Sequence, residues 1–120
     1  MILTLPFPPA VLNPNVRRHW SVKAKAARAY RVACWALAKE ARLTLPETEK
    51  IHLWADFYPP DRRNRDDDNA YAAFKSGRDG LADALGIDDN RFVFHPYMQD
   101  KVGGYVKVRL TAGPVGVEAA

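Results

Sequence analysis

The eight residues IHLWADFY, Ile51–Tyr58, constrain the fold more than any other stretch. Ile51, Leu53, Ala55 and Phe57 alternate with His52, Trp54, Asp56 and Tyr58. A period of two places these sets on opposite faces of a strand, one suited to a core and one not. A sheet built on such a strand needs a covering layer on one side only. The segments around it can supply that layer. Upstream, SVKAKAARAYRVACWALAKEAR is predicted to be a helix capped by Ser21, with Val22, Ala26, Ala29, Ala33 and Leu37 as its apolar face. Downstream, a second helix is predicted from Asp68 to Leu85, closed by Gly86. MILTLPF reads as a first strand stopped by Pro8 and Pro9. RFVFHPYMQD and GYVKVRL read as two strands around the turn DKVGG, with Tyr105, Lys107 and Arg109 on one face. Pro96 places the first of these at an edge or a bulge. The expected order is β-α-β-α-β-β, an α/β (α+β layered) domain over residues 1–112 with a mixed sheet packed by helices. Residues 113–120 are expected to be a frayed tail.

A chain of 120 residues is long enough for one core, and a partner subunit would help it. Cys34 is the only cysteine, which excludes an intrachain disulfide and points to a reducing compartment. One cysteine and the scattered His19, His52 and His95 exclude a structural zinc site. The N-terminus MILTLPFPPAVL has no basic lead, and its prolines would break a signal helix. No stretch approaches the roughly 20 apolar residues of a membrane span, so no membrane partner and a cytoplasmic location are expected.

Charge is where the sequence becomes informative about chemistry. Lys and Arg total 18 against 14 Asp and Glu, a net charge of +4. Five of those acids lie in Asp66-Asp67-Asp68 and Asp88-Asp89, so the remaining surface is more basic than the net value. A basic surface with concentrated acids suits a polyanion held at a metal site. It also suits a solvated loop. Magnesium takes oxygen ligands, keeps several waters and uses few carboxylates. If Asp66, Asp68 and Asp89 converge, their repulsion should raise their pKa values in the folded state. Convergence meets a geometric obstacle, because a helix from 68 to 85 is about 27 Å long. Gly77 and Gly80 offer a place to break it, and equally suggest close backbone packing, with another subunit as one candidate partner. A basic stripe, Arg28, Arg31, Trp35, Lys39 and Arg42, follows the first helix and is as consistent with a solvated face as with phosphate contact. An EF-hand is excluded by the missing glycine and glutamate, and no glycine-rich phosphate loop or serine–histidine–acid set is present.

PDRRNRDDDNAYAAFKSGRDGLADALGIDDNRF resembles the RusA family of Holliday junction resolvases, homodimeric endonucleases of bacteria, phages and prophages. The shared pattern is a proline-aspartate-basic lead, an aspartate-x-aspartate-asparagine core, a lysine-bearing helix and a paired aspartate after a turn. LPFPPAVLNPNVRRHW resembles the family's N-terminal proline-proline-x-x-asparagine stretch. The resemblance implies an α/β subunit in a two-fold dimer, acting in DNA recombination and repair. It implies Mg²⁺, or Mn²⁺, held by Asp66, Asp68 and Asp89, with Asp88 the second member of its pair. Many members carry the lysine three residues after the asparagine, where this chain has Ala72; Lys75 comes a turn later and shares a helix face with Asp68. Lys75 is therefore expected to be the catalytic cation, with Arg78 next in line. Arg62, Arg63, Arg65 and Asn69 are expected DNA contacts, with Arg17, Arg18, Arg28 and Arg31 further candidates. The expected activity is paired nicking of four-way DNA junctions. The rivals are a non-cleaving DNA-binding protein of the same fold and a small-molecule phosphohydrolase.

Overall fold

A computed structural model describes residues 1–114. The order is β1 (Leu3–Pro6), α1 (Trp20–Glu40), β2 (Ile51–Tyr58), α2 (Asp67–Ala73), α3 (Lys75–Leu85), β3 (Phe92–Met98) and β4 (Tyr105–Thr111), with 3-10 turns at Ala10–Leu12 and Asp89–Arg91. The four strands form one mixed sheet in the order β1-β4-β2-β3. The expected α+β architecture is present. The part of the expected tail from residue 115 on lies outside the described residues.

The alternation in β2 decides which face of the sheet is covered. Ile51, Leu53, Ala55 and Phe57 are fully buried, as are Val106 and Val108 beside them and Leu5 beyond. These residues meet Tyr30, Cys34 and Ala38 of α1 and Phe74 and Leu81 of the second helical segment. The opposite face carries His52, Trp54, Asp56 and Tyr58, with Lys107 and Arg109 opposite Asp56 and Trp54 in the register. There Trp54 stacks on His95 at 4.1 Å, the Arg109 guanidinium lies 5.1 Å from the Trp54 ring, and His52 and His95 share a 2.8 Å hydrogen bond.

One feature of the sheet differs from the sequence reading. β3 and β4 are not partners: β2 lies between them, parallel to β3 and antiparallel to β4. The connection passes the end of β2 instead of making a hairpin, with Gln99, Gly103 and Gly104 donating to the carbonyls of Phe57, Pro59 and Tyr58. Pro96 does sit on an edge strand, as expected.

The helices also depart from expectation. α1 is capped by His19, whose ring accepts from the Ser21 amide, and its buried stripe is Tyr30, Cys34 and Ala38; Val22 and Ala29 are exposed. Burial pushes the Cys34 thiol up to about 12, the mark of an inert core residue. The second helix breaks at Phe74, ahead of both glycines. The Phe74 ring packs against Tyr30, Phe57 and Phe94, and holding it there fixes the break. Gly77 and Gly80 are not reserved for another subunit. A Cβ at Gly80 would stand 2.3 Å from the Arg31 carbonyl oxygen, and one at Gly77 would strike the Phe74 and Tyr30 rings at 2.8 Å. Both glycines let α3 lie directly on α1.

Candidate active site

The acidic run begins with a local task. Asp66 is extended and its carboxylate accepts a 2.9 Å hydrogen bond from the Asp68 amide, which caps α2. Asp67 and Asp68 occupy the first turn, where negative charge is favoured by the exposed amides. That accounts for one acid well and for three together poorly. All three are exposed, and among the described residues none has an ion pair.

The neighbouring arginines do not neutralise the run. Arg63 and Arg65 both turn back onto Asp61, Arg65 at 2.6 Å and Arg63 at 3.1 Å. Arg65 also donates to the carbonyls of Asp61 and Arg63, which closes the loop on itself. Hydrogen bonds from the Arg63 amide and from both guanidinium groups pull the Asp61 carboxyl down to about 2. Arg62 is exposed and, among the described residues, unpaired. This loop parts two clefts. One, of about 360 Å³, is bounded by Phe7, Asn13, Asp66 and Asn69; the other, of about 290 Å³, by Arg62, Asp67, Gln99 and Asp100.

The second acidic pair sits in different company. After α3 the chain reverses at Gly86, in the left-handed conformation at φ 68°, and runs back beside the helix. Asp88 accepts from the Asn90 amide and starts a 3-10 turn, and Asp89 reaches Lys75 at 2.7 Å. Lys75 also binds Asp79 at 2.6 Å, one helical turn along. Arg31 of α1 makes a two-pronged bond to Asp83, at 2.6 and 2.8 Å. Asp79, Asp83, Asp88 and Asp89 line one small cleft with Arg31. The Lys75 hydrogen bond holds the Asp89 carboxyl below its ordinary value, the reverse of the rise expected from carboxylate repulsion. Partial burial pulls the Lys75 ammonium down, and its bonds to Asp79 and Asp89 outweigh that and leave it raised. Arg78 lies 4.4 Å over the Phe94 ring; burial lowers its pKa against the pull of Asp79 and Asp89.

The predicted site residues therefore fall into two groups. Asp66, Asp68, Asn69, Arg62, Arg63 and Arg65 are together at the start of α2, whereas Asp88, Asp89 and Lys75 are together around α3. Among the described residues, no three His, Cys, Asp or Glu side chains are gathered closely enough to hold a metal ion. Of the outlying cations, Arg17, Arg18 and Arg28 are exposed, and Arg31 is committed to Asp83 and Asp79. Sequence reasoning missed Asp79 and Asp83. The i,i+4 spacing of Lys75 and Asp79 was the available signal for the first; nothing local signals the Arg31–Asp83 bond, whose partners are 52 residues apart.

The chain is 47% identical over 114 residues to a protein of Xylella fastidiosa described as uncharacterized, an alignment covering 91% of this chain and 74% of that protein. The two are members of one family. No family model matches the sequence. No described helix is long and apolar enough to cross a membrane.

Proposed function

We propose that this protein is a magnesium-dependent, structure-selective endonuclease of the RusA type, cutting four-way DNA junctions by paired nicks in recombination and repair. One observation carries the reading. Arg63 and Arg65 stand within three residues of the acidic run and pair with Asp61 instead, so Asp66–Asp68 remain open to a cation from outside the chain. The donors fit a hard divalent ion: they are all oxygen and exposed, and magnesium retains its waters around one or two carboxylates. Asp66 and Asp68 would hold Mg²⁺ or Mn²⁺, while Asp89 stays on Lys75 at 2.7 Å. A metal held there would supply an activated water and would offset charge on the phosphate.

The protein's own groups do the rest. Arg62, Arg17, Arg18 and Arg28 have no competing carboxylate among the described residues and can take backbone phosphates, which position the strand without reading it. Lys75 offers a cation to the developing charge, and Asp79 and Asp89 hold it in one orientation. A two-fold homodimer would match the pseudo-symmetry of the junction.

A second reading rests on the same lysine. Lys75 is already bound to two carboxylates, which favours a junction-binding protein that does not cut. A synthetic four-way junction, incubated with and without Mg²⁺ and resolved under denaturing conditions, separates the two. The expected result is symmetric nicks only with Mg²⁺. Retention of the junction that weakens steeply with salt, without nicks, establishes binding alone.

A further inference from the structure

The cleft beside Asp66 contains two side chains that the site described above does not explain. It lies between the connection leading from β1 and the start of α2, and its volume is about 360 Å³. Phe7, Pro8, Pro60 and Ala70 give it flat apolar walls. Asn13 and Asn69, each half-buried, line it together with Arg63, Asn64, Arg65 and Asp66. Among the described residues neither side-chain amide has a hydrogen-bond partner, although each offers two donors and an acceptor. Both amides are therefore free to bond a ligand in the cleft without first breaking a bond within the protein.

Both amides are held on fixed backbone. The Asn13 backbone N–H donates to the Ala10 carbonyl, and the Asn13 backbone carbonyl accepts from the Val16 N–H and from the Lys23 ammonium at 3.0 Å. The Asn69 backbone N–H donates to the Asp66 carbonyl in the first turn of α2. Phe7 is set edge-on against Phe57 of the core, with ring centroids 6.1 Å apart. The Phe7 wall and the backbone that carries both asparagines are therefore positioned before a ligand arrives.

We infer that this cleft receives a single unstacked nucleobase, its faces against Phe7 and the prolines and its hydrogen-bonding edge read by Asn13 and Asn69. The inference rests on the nuclease reading for the source of the base, a strand whose phosphate lies at Asp66–Asp68. A planar heterocycle with alternating donors and acceptors is what paired amides between apolar walls complement. A branch point is where taking a base out of the stack costs least. Arg62 and its neighbours contribute affinity blind to sequence, and this cleft adds preference at one position.

Two measurements test it. In wild-type protein, the side-chain amide resonances of Asn13 and Asn69 are followed by NMR during titration with dAMP, dGMP, dCMP and dTMP, and with deoxyribose 5-phosphate as a control lacking the base. At least one nucleotide should shift both amides while the control leaves them still. No shift, or an equal shift with the control, overturns the cleft. Separately, junctions differing at one base beside the branch are bound in Ca²⁺ by wild type and by Asn13→Leu. Wild type should discriminate on the order of tenfold, and the variant should lose most of that while still binding the disfavoured junctions. Nucleotide shifts without any change in discrimination would assign the cleft to free nucleotides and overturn the strand-borne base. Failure of the nuclease reading looks different: junctions stay uncut in Mg²⁺ while the amide shifts persist.

Discussion

The two acidic groups of this chain are built from the same residue and end in opposite electrostatic states. Asp66–Asp68 follow directly on arginines and receive none of them. Asp89 lies 14 residues from Lys75 and is bonded to it at 2.7 Å. Adjacency in sequence brought no neutralisation, and the reversal at Gly86 did. A group satisfied by the chain serves structure and orientation; a group left open is available to something else. On the proposed reading, residues that hold the fold part here from residues that would hold a ligand, and each of the following experiments is aimed at that line.

The largest expected effect is on the open group. Asp68→Asn should lower junction cleavage by about 10²- to 10³-fold, since a catalytic metal contributes several kcal/mol to the transition state. Junction affinity should survive, because phosphate contacts provide it. Cleavage within threefold of wild type would place the metal elsewhere.

Lys75→Met strikes the satisfied group and should reveal itself in two ways. Cleavage should fall by about tenfold or more. The melting temperature of the metal-free protein should also fall, because Asp79 and Asp89 lose their common cation. In Asp68→Asn that temperature should hold or rise. Equal thermal shifts in the two variants would erase the distinction between the groups.

Magnesium should sharpen it further. A ligand at about a hundred times its Kd stabilises by about 2.7 kcal/mol, enough to raise a domain of this size on the order of 10 °C. Wild type should show such a shift between EDTA and Mg²⁺, Lys75→Met should keep it, and Asp68→Asn should lose most of it. No shift in wild type would return Asp66–Asp68 to the role of helix cap and solvated loop.

Acid gives the smallest effect and its sign is fixed by the satisfied group. Hydrogen bonds from Arg31 and Lys75 hold the Asp83 and Asp89 carboxyls below their ordinary value of 3.8. Their contribution is therefore present in full above that value and is lost as pH falls through the lower, folded values. A double variant, Arg31→Met with Lys75→Met, should show a shallower loss of melting temperature below pH 4. An unchanged acid limb would mean that these pairs contribute nothing.

What could be read without coordinates follows the range of the interactions. β2 was legible because its pattern is local and strict, and Gly86 because only a few residues close a helix in the left-handed region. The buried face of α1 was not. Seven alanines in that helix give little contrast between faces, and Tyr30 and Cys34, not Val22 and Ala29, turned inward. The turn DKVGG resembles a hairpin, and only the non-local pairing of β2 with β3 rules one out. At the site, the acids and basic residues were visible as types, and their partners were not: the Asp61 clamp on Arg63 and Arg65 competes with pairing to Asp66–Asp68 and wins by loop geometry. The helix break was anticipated at a glycine and came from an aromatic, since the core's hold on Phe74 is a tertiary effect.

The placement of proline at the sheet's margins bears on how two copies could associate. One border strand, β1, has four residues and ends in Pro6; the other, β3, carries Pro96 in its interior. Each lacks an amide donor where an incoming strand would look for one, and short or proline-bearing borders are poor templates for strand addition. Joining two sheets end to end is thus discouraged on both sides. If two subunits pair, broad surfaces are favoured instead, and the sheet face bearing Trp54, His95 and Tyr97 is one that the helices leave uncovered.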